Sequence, residues 1–301
     1  MKNSFLGPLF IVGLSRSGTK LFRDVLNNHS LISIPENETH FIPKLIFENT
    51  KEFNFNKSFR ILKKTNFYKK NIKKKKIDET EFRTFIQNNN NKLNTFIEFV
   101  LRSFSNYGFR NDYIWGDKTP KYLRNVDLLL ATFPNAKIIH IIRDPRDRAI
   151  SLRRTWWRSL RLAAYNWNSE ITYLDKIDVN NRCLEIKFED FLTNTNLILT
   201  QVCEFLDIEF EKAMLTLKKP SEKYGKASKS LAVLANNKNK YTSYKKKKVK
   251  MIEEICYPKL IEKGYSVLYA KTNKKIPAII IYFLKLYDFF MIRTSEIIKR
   301  Y

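Results

Sequence analysis

Apolar positions change their spacing along the chain, and each change marks an element. Phe10-Ile11-Val12 is a short apolar run that stops at Gly13. From Leu21 the spacing turns helical, with Leu21, Phe22, Val25 and Leu26 falling on one face. This predicts a strand, a glycine-bracketed loop and a helix. From about 42 to 112 the chain is rich in Asn and Lys with Phe at helical intervals, which predicts a helical excursion. Its lysines (Lys63, Lys64, Lys69, Lys70 and Lys73 to Lys76) read as a solvated face, and Asn88 to Asn91 as a loop. Trp115 to Pro120 reads as a turn, and a helix follows from about Tyr122 to Thr132, closed by Phe133-Pro134. Lys137 to Ile142 is a near-continuous apolar run, the pattern of a strand buried on both faces. It leads through Arg143-Asp144-Pro145 into a helix carrying two tryptophans. Leu184, Ile186 and Phe188 alternate as a further strand, and Phe191 to Leu206 reads as one helix.

Strands alternating with helices predict an α/β fold, a central parallel sheet flanked by helices. In such sheets functional residues gather beyond the carboxyl ends of the strands, where the loops after Val12 and Ile142 leave. The expected organisation is one α/β domain over residues 1–272 and a C-terminal helix over 273–301. In that tail, Ile276 to Ile292 is apolar and aromatic, interrupted by Lys285 and Asp288 and flanked by Lys274, Lys275, Arg293, Lys299 and Arg300. It is marginal for a membrane span, which needs roughly 20 apolar residues. Packing on the domain and lying in an anionic membrane surface both bury the same residues, and the sequence leaves the two open.

Composition narrows the function. With 44% hydrophobic and 14% aromatic residues, the chain has the material for a core, which excludes a disordered polybasic tail. The net charge of +26 asks which anion this folded protein meets. Cys183, Cys203 and Cys256 are scattered, which argues against a disulfide framework or zinc ribbon. His29, His40 and His140 lack the spacing of a helical metal pair, so no metal is expected. Met1 to Leu9 has neither the apolar core nor the cleavage site of a secretory signal, which points to a cytoplasmic chain, peripheral on the inner membrane surface if the tail meets lipid.

Three segments carry chemistry. Gly13-Leu14-Ser15-Arg16-Ser17-Gly18-Thr19-Lys20, between strand and helix, aims backbone N–H groups at one point on the positive end of a helix dipole. It differs from a Walker A loop because Thr19 precedes Lys20, which misplaces the hydroxyl that would bind magnesium. Glu36-Asn37-Glu38-Thr39-His40-Phe41 sets two carboxylates and an imidazole at alternate positions, which face one way in an extended segment. In Arg143-Asp144-Pro145, Asp144 can cap the next helix, Pro145 suits its first turn, and Arg143 can clamp a phosphate. Arg146, Asp147 and Arg148 read as an exposed, salt-bridged first turn.

The first loop resembles the phosphosulfate-binding loop of sulfotransferases that use 3′-phosphoadenylyl sulfate (PAPS). That resemblance implies a P-loop-like nucleotide-binding fold of the sulfotransferase type. It implies that Arg16 holds the bridging oxygen, that Ser17, Gly18 and Thr19 hold the 5′-phosphate, and that Lys20 stands where heparan sulfotransferases tolerate a basic residue. Glu36 to Phe41 is similar to the Glu-Asn-Glu-x-His-Phe stretch of the heparan sulfate enzymes. This implies Glu38 as the base, assisted by His40, with Glu36 in reserve. Arg143 and Ser151, eight residues later, resemble the family's 3′-phosphate site. Gly116-Asp117-Lys118-Thr119-Pro120 resembles the Lys-Thr-Pro turn of bacterial and heparan sulfotransferases, which turns Lys118 toward the donor sulfate or an acidic acceptor. Phe188-Glu189-Asp190-Phe191 resembles the family's Tyr-Glu-Asp-Leu strand end, with a structural role. Asn239-Lys240-Tyr241 resembles the loop that closes over the nucleotide, which makes Lys238 and Lys240 candidate ligands. The resemblance runs from Phe10 to Tyr265, with a poorly matched stretch between Phe41 and Asp112.

The expected reaction is sulfuryl transfer from PAPS to a hydroxyl or amine of an acceptor, a carbohydrate or glycolipid. The alternatives are a P-loop nucleotide kinase or NTPase and a basic nucleic-acid-binding protein. Swapped Lys and Thr oppose the first. Lys73 to Lys76 and Lys245 to Lys248 suit nonspecific phosphate contacts, but no helix-turn-helix, zinc finger or RNP-like motif supports the second.

Overall fold

The computed structural model describes residues 5–73, 77–177, 179, 181–217, 238–270 and 272–298. Five strands, β1 (Leu9–Gly13), β2 (Ile32–Ser33), β3 (Ile114–Lys118), β4 (Lys137–Ile142) and β5 (Cys183–Lys187), form one sheet in the order β2-β3-β1-β4-β5. Every pairing is parallel. Ahead of β3 come helices α1 (Thr19–Leu26), α2 (Ile42–Glu48), α3 (Phe55–Lys64), α4 (Asn66–Asn71), α5 (Glu79–Asn88) and α6 (Leu93–Ser103). After it come α7 (Val126–Thr132), α8 (Pro145–Trp156), α9 (Leu160–Glu170), α10 (Phe188–Thr193), α11 (Thr195–Phe205), α12 (Lys246–Cys256), α13 (Lys259–Glu262) and α14 (Ala278–Ile298).

The period of two along each strand builds two cores, one on each face of the sheet. Phe10, Val12, Ile138 and Ile142 face α2, α6, α8 and α9, whereas Leu9, Ile11, Ile139 and Ile141 face α1, α10 and α11. β1 and β4 are buried on both faces, which is why they read as continuous apolar runs. Residues 42–112 hold five helices, and the phenylalanines spaced along them meet each other. Phe82 stacks on Phe99 at 4.0 Å between centroids, with Phe55, Phe59 and Phe96 around it. Lys74, Lys75 and Lys76 lie outside the described residues, as do Lys299 and Arg300.

Several local expectations change. Trp115 to Lys118 is not a turn but the greater part of β3, the strand between β1 and β2. Gly116 hid it: the β1 backbone at Leu9 runs so close that a Cβ at 116 would collide with the Leu9 carbonyl. The expected helix from Tyr122 begins as a 3-10 helix over Pro120–Asn125. Phe188 opens α10 instead of extending β5, and the single helix expected over 191–206 is two, parted at Asn194. Arg146, Asp147 and Arg148 are buried, not an exposed first turn. The reason is partners. Arg146 Nη2 donates to Asp144 at 2.6 Å and Nη1 to Glu253 at 2.7 Å. Asp147 accepts the Tyr241 N–H, and Arg148 donates to the carbonyls of Ser15 and Ala163, each at 3.0 Å. Burial of charge is tolerated where hydrogen bonds replace water on this scale.

Candidate active site

Three neighbouring strands end on one side of the sheet and deliver the candidate residues. Ile11 pairs with Lys118 on β3, and Gly13 pairs with Ile141 on β4. Lys118, the loop after Gly13 and Arg143 therefore leave adjacent carboxyl ends, as expected for an open parallel sheet.

In the loop, Arg16 sits at φ 70° and Gly18 at φ 93°, and α1 starts at Thr19 with no side-chain cap. Within the loop the Ser17 N–H donates to the Leu14 carbonyl at 3.1 Å, and the uncapped start of α1 leaves N–H groups for an anion. Ser17 and Thr19 are buried there. A Cβ at 18 would collide with the ring of Phe188, so the position needs glycine both for its φ and for the aromatic floor beneath it. Arg143 lies over the same ring, at 4.7 Å, and its Nη1 donates to the Arg16 carbonyl at 3.0 Å. Arg16 Nε donates to Ser151 Oγ at 3.1 Å, and its guanidinium stands over Trp156. The structure thus joins Arg16, Arg143 and Ser151, which lie far apart in sequence. Phe188, Trp156 and Arg148 belong to the same cluster, and sequence reasoning missed their part in it.

Lys240 adjoins this cluster. Burial and the neighbouring charges of Arg143, Arg154 and Arg16, against the pull of Asp147, bring its ammonium down to about 8. Tyr241, whose N–H is held by Asp147, fixes the backbone there. Lys238 lies elsewhere, donating to Thr193 Oγ1 at the end of α10. Lys20 is exposed and pairs with Asp24 at 3.1 Å, one helical turn on.

The second group forms at the end of β3. Glu38 takes the Lys118 ammonium on Oε1 at 2.5 Å and His40 Nε2 on Oε2 at 2.9 Å. Burial raises the Glu38 pKa, but the His40 hydrogen bond and the Lys118 charge outweigh it and hold the carboxyl at about 2. Lys118 is buried, which pulls its own pKa down against the Glu38 charge that raises it. The segment is pinned from below. Arg23, buried on α1, donates through Nη1 to the carbonyls of Pro35 and Glu36 at 3.1 and 2.5 Å. Thr119 Oγ1 accepts the Thr39 N–H at 3.0 Å, and Tyr122 bonds Thr39 Oγ1 at 2.7 Å. These bonds let His40 stay at φ 55°, a conformation that costs energy and tends to mark functional segments. The Glu36 side chain is exposed and outside the pair. Asp117, beside Lys118, is buried, and burial pushes it up to about 6 against the pull of the Thr119 and Thr39 side chains.

A family model described as Sulfotransferase family matches residues 8–212. The chain belongs to the sulfotransferase family. Protein-tyrosine sulfotransferase 1 of Danio rerio is 24% identical over 222 residues, 71% of this chain and 56% of its own length. Protein-tyrosine sulfotransferase A of Caenorhabditis elegans is 25% identical over 219 residues, 69% of this chain and 51% of its own length. The chain thus spans about half the length of these curated relatives. Among solved structures, the sulfotransferase domain from the curacin biosynthetic pathway superposes with a TM-score of 0.52 at 19% identity, covering 88% of this chain and all of that one. The likeness is one of fold, and it assigns the parallel sheet with its loop after β1 to the P-loop-like sulfotransferase type. Family membership supports sulfuryl transfer over the kinase and nucleic-acid readings. The matched residues 8–212 include every candidate named above except Lys238 and Lys240. Among the described residues no cluster of His, Cys, Asp and Glu could hold a metal ion.

Proposed function

We propose that this sulfotransferase moves a sulfuryl group from PAPS to a hydroxyl or amine of an acceptor, with Glu38 as the base. The observation that carries this reading is the Glu38 carboxylate, bonded by Lys118 and His40 at the end of β3, the neighbour of the β1 strand that leads into the glycine-bracketed loop. The chain's residues fit such a donor. The loop leads into the uncapped start of α1 over a glycine that admits no side chain, Arg143 bonds its Arg16 carbonyl, and Lys240 lies within reach of both charges. When bound, PAPS supplies the activated sulfuryl group.

Arg143 and Ser151 would hold the 3′-phosphate, and Ser17, Gly18 and Thr19 the 5′-phosphate. Arg16 and Lys118 would counter the charge that develops on the leaving phosphate and on the sulfuryl oxygens. As Lys118 turns to those oxygens it releases Glu38, whose affinity for a proton rises once its partner is gone. Glu38 then takes the acceptor proton, with His40 holding the carboxylate in position. In-line positioning and charge, without covalent catalysis, do the work, as in phosphoryl transfer.

The Glu-Asn-Glu-x-His-Phe segment favours a carbohydrate or glycolipid acceptor. A second reading, a tyrosyl phenol, is favoured by the relatives, which are named protein-tyrosine sulfotransferases. Labelled donor offered in parallel to a glycolipid extract and to acidic tyrosine peptides separates the two. Glu38→Gln tests the base: donor-product binding persists while turnover falls by roughly 10²–10⁴. Full turnover in that variant removes Glu38 from the mechanism.

A further inference from the structure

Helix α14 wears its apolar side outward. At about 100° per residue, Ile279, Tyr282, Phe283, Leu286, Phe290 and Ile297 share one face roughly 100° wide. These side chains are 40–62% exposed. The opposite stripe, which packs on α8 and α9, carries Asp288 and Ser295, both buried. Asp288 accepts Arg158 Nε at 2.6 Å and the Ser159 N–H at 2.7 Å, and the Tyr287 hydroxyl accepts from Arg153 at 2.6 Å. Polar anchors hold the helix to the domain while six large apolar side chains face away. An exposed patch of this kind marks an interaction surface.

We propose that this face rests on an anionic lipid bilayer, with α14 lying in the plane of the headgroups. No helix among the described residues is long and apolar enough to cross a membrane, which leaves the interfacial orientation. Charge selects the partner. Lys274 and Lys275 precede the helix, Lys285 borders the apolar face and Arg293 lies within it near its C-terminal end, and all four are exposed. The whole chain carries +26, which repels a second copy and attracts an acidic surface. A cavity of about 500 Å³ between α9 and α14 has Arg124, Arg158 and Lys285 in its wall beside Tyr165 and Phe289. Arg158 is paired with Asp288, which also lines the cavity, and Arg124 with Glu170, so Lys285 and the aromatic rings are what it offers an anionic headgroup and the root of its acyl chain.

Helix α14 also reaches, through Tyr287, the residues that back Arg16. Arg16 stands over Trp156, the last residue of α8, and the next residue, Trp157, accepts the Tyr287 hydroxyl at 3.3 Å through its carbonyl. A bilayer under α14 therefore lies next to the Arg16 side of the site, where an acceptor anchored in lipid would be presented. That last step rests on the sulfuryl-transfer reading; the docking itself does not.

The full-length protein is sedimented with vesicles of phosphatidylcholine, with and without phosphatidylglycerol, and no donor is added. Binding to the anionic vesicles alone is expected, weakening steeply at 1 M salt, where the Debye length is about 3 Å. In Phe283→Glu/Phe290→Glu the affinity falls at least about tenfold. Phe283→Ser/Phe290→Ser gives the same direction and covers the case in which the acidic variant fails to fold. Absence of binding to the anionic vesicles, equal binding to neutral ones, or equal binding by the variants overturns the proposal. A concentration-dependent dimer in sedimentation equilibrium, abolished by the same substitutions and without vesicle binding, also overturns it and assigns the face to a second copy. The readout needs no turnover, so its failure leaves the reaction reading standing.

Discussion

In the first turn of α8, Arg146, Asp147 and Arg148 are buried at 1%, 0% and 2% exposure, while on α14 Phe283 and Phe290 stand 60% and 62% exposed. Residue type alone predicts the reverse. The difference lies in what each helix meets. α8 is surrounded by carbonyls and carboxylates at hydrogen-bond distance, so its guanidinium groups lose water and gain partners. α14 meets Arg158, the Ser159 N–H and the Arg153 side chain, which reward its Asp288 and Tyr287 and leave the phenylalanines without apolar surface to cover them. Partners, more than polarity, decide which side of a helix is inside.

The largest test of the comparison removes a partner. Glu253 takes Arg146 and the N–H groups of Leu268, Tyr269 and Ala270, so Glu253→Ala should cost about 3–5 kcal/mol in denaturant unfolding. A loss below 1 kcal/mol would mean that water replaces the network. The next test concerns the buried carboxylate beside Lys118. Asp117 has its pKa raised from 3.8 to about 6, so its contribution is fully present below about 4 and is lost as pH rises through 6. Asp117→Asn should therefore gain stability at pH 7, at most roughly 3 kcal/mol, and the gain should vanish near pH 4. Thermal unfolding across that range checks the sign.

A smaller effect is expected where a lysine is buried among like charges. Lys240 loses its proton near pH 8, so the affinity for 3′,5′-ADP should drop severalfold as pH rises from 7 to 9. Lys240→Met should flatten that profile in calorimetry, and an unchanged slope would place the titrating group elsewhere. The smallest effect belongs to α14. Phe283→Ser should shift folding stability by no more than about 0.5 kcal/mol, because the ring is already in water. A larger loss would show that the aromatic face packs on protein after all.

Much of the site was legible because the residues concerned sit in strand-ending motifs. Gly13 to Thr19 and Arg143 to Pro145 announce themselves by an apolar run stopped by glycine or by Arg-Asp-Pro. The Asp144 cap on α8 came out as read, accepting the Arg146 N–H at 2.8 Å. β3 was not legible: Gly116, Asp117 and Lys118 carry no alternation, and the strand exists because β1 and β2 pair with it on either side. Phe188 looked like the last residue of a strand. Its role as the floor under Gly18 and Arg143 depends on the turn into α10, which nothing local encodes.

Local pattern, then, determined the α/β alternation and the glycine-bracketed loop between β1 and α1. These depend on spacings of a few residues, over which backbone geometry dictates direction. Tertiary structure decided which charges are buried, which lysine joins the cluster around Arg16, and which face of the last helix is left outside. Those outcomes depend on partners more than a hundred residues away, such as Glu253 for Arg146 and Asp288 for Arg158, and burial of a charge is favourable only once such partners are in place.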